Sequence, residues 1–210
     1  MPRNYILTIH QIKYQITGGI QMLYENYIDR MKNYHDLKES IGIDVVNLSD
    51  NILYLKDKCY TSFLDLAIVY YIAPNSHQKF WLPKNVFKKW SITPELLRKQ
   101  ALENIHKTSQ FALKYYPFLS LHDTCEKSKN IVALVDTQLL NSIHKELATS
   151  FYIFPQSQYE IRIIPEYEII QRENLKNLKK ELISSNDNLP ADYIVSNHIY
   201  HHNKTLTIAI

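Results

Sequence analysis

The side chains best suited to chemistry in this chain fall into three groups, and their spacing decides how far each can be taken. His198, His201 and His202 stand close together near the C-terminus. On a strand, side chains alternate faces, so His198 and His202 share one side while His201 points to the other. A metal would need a third ligand, from Asp192 or Glu160, and with no complete ligand set legible, no metal or cofactor is expected. Ser157, Glu160, His198 and Tyr200 form the second group, a hydroxyl, a carboxylate and an imidazole that would serve acid-base chemistry if the fold assembled them. An enzyme centred on Glu160 and His198 is therefore one alternative. Plainer roles account for these residues better: turn stabilisation for Ser157 and cross-strand pairing for Glu160. Glu166 and Glu168 lack the spacing of a nuclease metal site, and His144 with Glu146 is not a zincin pattern.

The third group is a run of cations. From Lys79 to Gln110 there are seven Lys and Arg against two Asp and Glu, a net charge of +5, whereas the stretches before and after each carry −1. Lys84, Lys88, Lys89, Arg98 and Lys99 are its centre, with Trp81, Phe87 and Trp90 interleaved. Cations on the outer faces of two successive helices suit a phosphate backbone or an acidic protein surface. The principal expectation is thus a non-catalytic binding protein that uses segment 79–107, with Lys84, Lys88, Lys89, Trp90, Arg98 and Lys99 as contact residues, to hold an acidic protein or a nucleic acid. Sequence-specific reading by a helix-turn-helix is disfavoured, because the first helix is only about six residues long and the second starts with few side chains suited to base edges.

Composition removes several classes. The three glycines, Gly18, Gly19 and Gly42, assemble no phosphate-cradling loop, dinucleotide fingerprint or nucleophile elbow. Cys59 and Cys125 have no partner at metal-ligand or redox spacing. The longest apolar run, Leu64 to Ala73, carries Asp65 and ends at Pro74, which marks a buried strand rather than a membrane helix. The N-terminal segment lacks the continuous apolar core of a secretion signal, so a cytoplasmic location and no membrane partner are expected.

The elements that must position these residues are legible in places. Thr93 as N-cap, Pro94 at the first helical position, Glu95 in the first turn and an Ile92–Leu97 staple all mark the start of one helix. Leu97, Ala101 and Ile105 then form its buried stripe. Upstream, Tyr5, Leu7 and Ile9 suggest a strand, Gly18-Gly19 a turn and Ile20 to Leu37 an amphipathic helix, while Val45 to Leu55 stays unassigned. Phe63 to Ala73 and Lys79 to Leu82 read as a hairpin, Asn85 to Trp90 as a short helix, and YYPFLSLHDTC as a connection. The second half reads as strand 131–135, helix 137–148, strands 151–154 and 159–164, helix 169–184, then a hairpin of 197–201 and 205–210. Leu139, Ile143, Leu147, Leu175, Leu178 and Leu182 are its expected core. The expected fold is α+β: N-terminal helices with a β-hairpin (1–118), packed on a C-terminal split βαβ, ferredoxin-like portion (119–210) with an additional strand.

The segments FLDLAIVYYI, WSITPELLRKQALENI, FYIFPQSQYEIRIIP and SNHIYHH, in that order, resemble an uncharacterised domain-of-unknown-function family common in anaerobic clostridial bacteria. The resemblance runs from about Val45 to His202 and is thinner over the first forty-odd residues; the chain also lacks a glycine that relatives carry before the second-half helix. It implies a cytosolic α+β protein and brings no catalytic residues with it. An inhibitor of a defence or nuclease complex is a further alternative, without a residue that argues for it specifically.

If the stripe is buried, Leu97→Ala should lower unfolding free energy by about 2–5 kcal/mol, through lost transfer energy and the cavity left behind. An unchanged midpoint in a urea melt would place Leu97 on the surface.

Overall fold

The chain is organised on one strand that is buried on both sides. The computed structural model describes residues 33–75, 78–115, 119–126, 128–169, 172–187 and 194–210. In it, β1 (Ile41–Asn47), β2 (Tyr60–Phe63), β3 (Leu66–Asn75) and β4 (Gln78–Trp81) form an antiparallel sheet. β3 pairs with β1 along one edge and with β2 and then β4 along the other. Leu66, Ile68, Tyr70 and Ile72 face the main core, while Ala67 and Val69 face a smaller cluster built on Leu55. Five consecutive residues, Leu66 to Tyr70, are therefore fully buried. A strand covered on both faces loses the alternation of a half-exposed one, which is why this run reads as continuously apolar.

Helices α1 (Tyr34–Leu37), α2 (Ile52–Leu55), α3 (Val86–Trp90) and α4 (Pro94–Thr108) surround this sheet. The written start of α4 is realised: Thr93 Oγ1 accepts from the Leu96 N–H at 3.2 Å, Leu97 and Ala101 are fully buried, and Ile105 nearly so. Ser91, at φ 53°, takes the left-handed conformation that ends α3 and turns the chain toward α4. Tyr34 to Leu37 is helical as expected, and the earlier part of that expected helix, with the strand at Tyr5 to Ile9 and the turn at Gly18-Gly19, lies outside the described residues.

The second sheet holds six strands in the order β10-β9-β7-β8-β6-β5: β5 (Phe111–Lys114), β6 (Ser120–Asp123), β7 (Phe151–Pro155), β8 (Ile161–Pro165), β9 (Tyr200–Asn203) and β10 (Thr205–Ile208). β8 and β9 both pair antiparallel with β7, so they run parallel to each other with β7 between them. Helix α6 (Arg172–Asn186) connects them, and this unit is a split β-α-β. Helix α5 (Thr137–Leu147) precedes β7 and is capped by Asp136, whose Oδ1 accepts from the N–H groups of Gln138 and Leu139.

Two expectations are corrected. Asn130–Val135 is a 3-10 helix rather than a strand. Its residues are buried on every side, and its backbone closes locally, as in Val132 N–H to Lys129 and Asp136 N–H to Ala133, so β-branched residues settle where no strand edge is offered. Ser120 to Asp123, within the supposed connection, instead form β6, paired antiparallel with β5. Asp123 pins the end of that pair by accepting from the N–H groups of Gln110, Cys125 and Ser128. The boundary expected near residue 118 lies outside the described residues.

The larger core draws on both sheets and on α3, α4, α5 and the 3-10 helix. A second cluster under α6 contains Phe154, Ile164, Leu175, Leu182 and Ile199. Of the expected core positions, Leu97, Ala101, Ile105, Ile143, Leu175 and Leu182 are buried, and Leu139, Leu147 and Leu178 are partly so. The architecture is α+β, with antiparallel sheets.

Gly42 sits opposite Tyr71 in the β1–β3 ladder, and a Cβ built there would lie 2.5 Å from the Tyr71 ring. That ring is held edge-on by Trp81 at 5.6 Å and capped by the Lys79 ammonium at 4.4 Å, so it has little room to swing away. Gly42→Ala should therefore cost about 1–3 kcal/mol by overpacking. Combined with Tyr71→Ala it should cost much less than the sum; strictly additive losses in a thermal-melt cycle would show that the ring yields freely.

Candidate functional site

The basic segment divides into residues turned outward and residues turned inward. On α3, Lys88 and Lys89 are exposed, while Val86 and Trp90 are buried. Trp90 is only 8% exposed and lies against Tyr34 at 6.1 Å, and Phe87 stands edge-on to Tyr70. Trp81 is half-buried between Tyr54 and Tyr71. These aromatics build the core and do not offer flat faces to a partner.

Arg98 also points inward: its guanidinium donates to the Val135 carbonyl and lies 5.0 Å from the centre of the Phe63 ring. Burial lowers its pKa from the ordinary value, and its role here is to fasten α4 to the 3-10 helix. Lys99 is exposed and forms a loose i,i+4 pair with Glu103 at 3.9 Å. Of the six residues singled out in the sequence, Lys84, Lys88, Lys89 and Lys99 are accessible, and Trp90 and Arg98 are engaged within the fold.

The structure adds neighbours that the sequence did not show. The Lys84 N–H donates to the Asp57 carbonyl at 3.0 Å and Pro83 bridges to Lys58, so the loop before α3 is tied to the loop after α2. Exposed Lys56 immediately precedes the Asp57 whose carbonyl holds Lys84. One helical turn away, Ile52 and Leu53 are 64% and 88% exposed. The cationic surface therefore has an apolar flank.

The acid-base group assembles differently from its expectation. Glu160 precedes β8 and His198 precedes β9, with β7 between those strands, so the two are not brought together. Ser157 serves its turn, its Oγ accepting from the N–H groups of Tyr159 and Glu160. His198 and Tyr200 instead converge on Asp65, in the two-residue turn between β2 and β3. The Tyr200 hydroxyl donates to Oδ1 at 2.7 Å; the Ser196 hydroxyl, at 2.7 Å, and His198 Nδ1, at 3.1 Å, both reach Oδ2. A carboxylate only accepts, so this contact fixes the tautomer with the proton on His198 Nδ1. Tyr200 is fully buried, and burial, with Asp65 adding to it, raises its hydroxyl pKa well above the ordinary value, so it remains a donor. Ser196 is fully buried too, and its hydroxyl is committed to Asp65.

The turn that presents Asp65 is strained, since Leu64 adopts φ 56°, a left-handed conformation that usually falls to Gly or Asn. The three donors, and the Leu48 N–H on the Asp65 carbonyl at 2.9 Å, hold it there. The cluster is a clasp between two sheets: more than 130 residues separate Asp65 from its partners. The sequence offered one signal for it, a lone carboxylate opening an otherwise apolar run.

The histidines also part company. His202, 1% exposed, stacks on Phe151 at 5.0 Å and faces His144 at 5.7 Å. His201 lies on the opposite face of β9, over Tyr152 and 3.5 Å from Glu166. His198 lies before β9, on Asp65. Asp192 lies outside the described residues. Among the described residues, no three His, Cys, Asp or Glu side chains come together to hold a metal ion, and no helix is long and apolar enough to cross a membrane. A shallow cleft of about 310 Å³ opens between β8 and α6, lined by Arg162, Glu168, Leu178 and Glu181, away from both clusters.

The Asp65 clasp yields a stability prediction. Asp65→Asn should leave one buried donor without an acceptor and cost about 1–3 kcal/mol, and Tyr200→Phe about 1 kcal/mol. Urea denaturation curves superimposable on wild type would show that the clasp contributes nothing.

The model of a family of unknown function, DUF5688, matches residues 6–119, which includes β1 to β5 and all of the basic segment. No curated protein and no solved structure matches the chain.

Proposed function

The chain belongs to this family of unknown function, so membership supplies no activity, and we propose from the residues alone that the protein binds an acidic protein surface. Lys84, Lys88, Lys89 and Lys99, joined by Lys56, are the contact cations, with Ile52 and Leu53 as the apolar part of the contact. The observation that carries this reading is that the cations face solvent while the interleaved aromatics face the core. Single-stranded nucleic acid is held by aromatic faces on which bases stack, and Trp90 and Phe87 are turned inward. Protein interfaces combine a desolvated apolar centre with a charged rim, and exposed Leu53 beside lysines has that composition. Steering by opposite charge raises association rates, and the excess of +5 in segment 79–107 and its flank gives the surface the sign for it.

Changing Lys84, Lys88 and Lys89 together to Glu should leave the melting temperature nearly unchanged, because exposed charges contribute little to folding. Binding to an immobilised polyglutamate peptide should weaken about tenfold or more, mainly through slower association. Unaltered binding by the triple variant would remove the surface from consideration. Tighter, steeply salt-dependent binding to a duplex oligonucleotide than to polyglutamate would shift the reading to nucleic acid.

A further inference from the structure

His202 is a buried imidazole that the binding surface does not use. It is 1% exposed, and neither ring nitrogen has a hydrogen-bond partner among the described residues. Buried polar groups are nearly always paired, so an orphaned ring in a β-ladder calls for a reason. Its surroundings are apolar or basic on every side. From β7 comes Phe151, stacked face to face; from β10 comes Leu206, opposite it in the ladder. From α5 comes His144, whose Nδ1 is likewise buried and unpartnered among the described residues. Lys145 and Glu146 of α5 are exposed, and Glu146 accepts from the Tyr115 hydroxyl. On β9 itself, His201 turns to the other face, where Glu166 accompanies it.

We propose that the β9–β10 hairpin is an acid-released flap, with His202 as its latch against Phe151 and His144. A neutral imidazole tolerates this site as a flat, half-apolar ring. A protonated one would be a cation with two donors, no acceptor and a second imidazole in contact, and would gain most by reaching water. The way out is short: three residue pairs, Phe151–His202, Tyr152–His201 and Ile153–Tyr200, join β9 to β7, and among the described strands β10 pairs with β9 alone. Tyr200 remains fastened to Asp65, and Ile208 to Ile210 stay paired with Tyr200 and Ile199, so the opening hinges just after Tyr200 and frees residues 201–207. Release would uncover the edge of β7 and the Phe151 ring, a strand edge open to another chain.

The direction follows from linkage. Burial first, and then the positive fields of His144 and His201, hold the His202 pKa below its ordinary value. The stabilisation is therefore full above the unfolded value of about 6.5 and is lost as pH falls through the lower, folded one.

Hydrogen exchange followed by NMR, as protection factors so that the intrinsic pH dependence cancels, tests the flap directly. Between about pH 7.5 and pH 5, protection over residues 201–207 should fall about tenfold or more while β3 stays protected. His202→Phe, which keeps the stack, should hold the hairpin closed at both pH values. Equal protection at both pH values in the wild type would overturn the proposal, as would the same acid loss in His202→Phe. Should that variant not fold, the wild-type ring resonances decide: His202 must titrate together with hairpin opening, and titration in a closed hairpin would equally overturn it.

Discussion

Complete burial of β3 is the constraint on which the rest of this structure depends. A strand whose two faces are both covered needs a partner layer on each side, and the chain supplies unequal ones. On one side stands the large core shared with the second sheet and with α3, α4 and α5; on the other is the small cluster of Leu55, Ala67 and Val69. The same demand explains why the aromatics of the basic segment turn inward. Trp90, Phe87 and Trp81 are drawn into the layers that cover β3 and its neighbours, and the lysines between them are left at the surface by default. The cationic surface is the outer side of a packing solution.

The join between the two sheets is settled differently. Apolar contact is non-directional and leaves relative sliding weakly opposed, whereas the Asp65 clasp is directional. One carboxylate accepts from Ser196, His198 and Tyr200, and so specifies where the start of β9 lies relative to the β2–β3 turn. Lys129 on Asp44, at 2.8 Å, adds a second polar tie, between the segment before the 3-10 helix and β1. Strain at Leu64 is tolerated because the surroundings over-determine the turn.

What the sequence made legible was local. The start of α4 was readable because capping chemistry acts within four residues, and the amphipathic stripes of α4, α5 and α6 because helical spacing repeats. The β7–β8 and β9–β10 hairpins were readable from their turns. The run Ile131 to Val135 misled because burial on all sides erases periodicity, and a β-rich composition then says nothing about whether a strand edge is available. β1 went unassigned because its inward set, Ile41, Ile43 and Val45, is interleaved with Gly42 and Asp44, whose partners Tyr71 and Lys129 are distant in sequence. Within the site, the lysines could be found by counting charge. The inward turn of Trp90 and Arg98, and the tie of the α2–β2 loop to Lys84 through Asp57, required tertiary contacts that no local pattern encodes.

Among the described residues the six-stranded sheet is not closed on itself, and the strands at its two ends, β5 and β10, are four residues long. Each has a lysine at one end, Lys114 within β5 and Lys204 in the turn entering β10. Short margins that carry charge make poor templates for stacking further copies into fibrils, since a growing fibril would have to desolvate an ammonium at every added rung. Margins of this kind keep sheet edges from templating further pairing, at the cost of a few residues of pairing on each side.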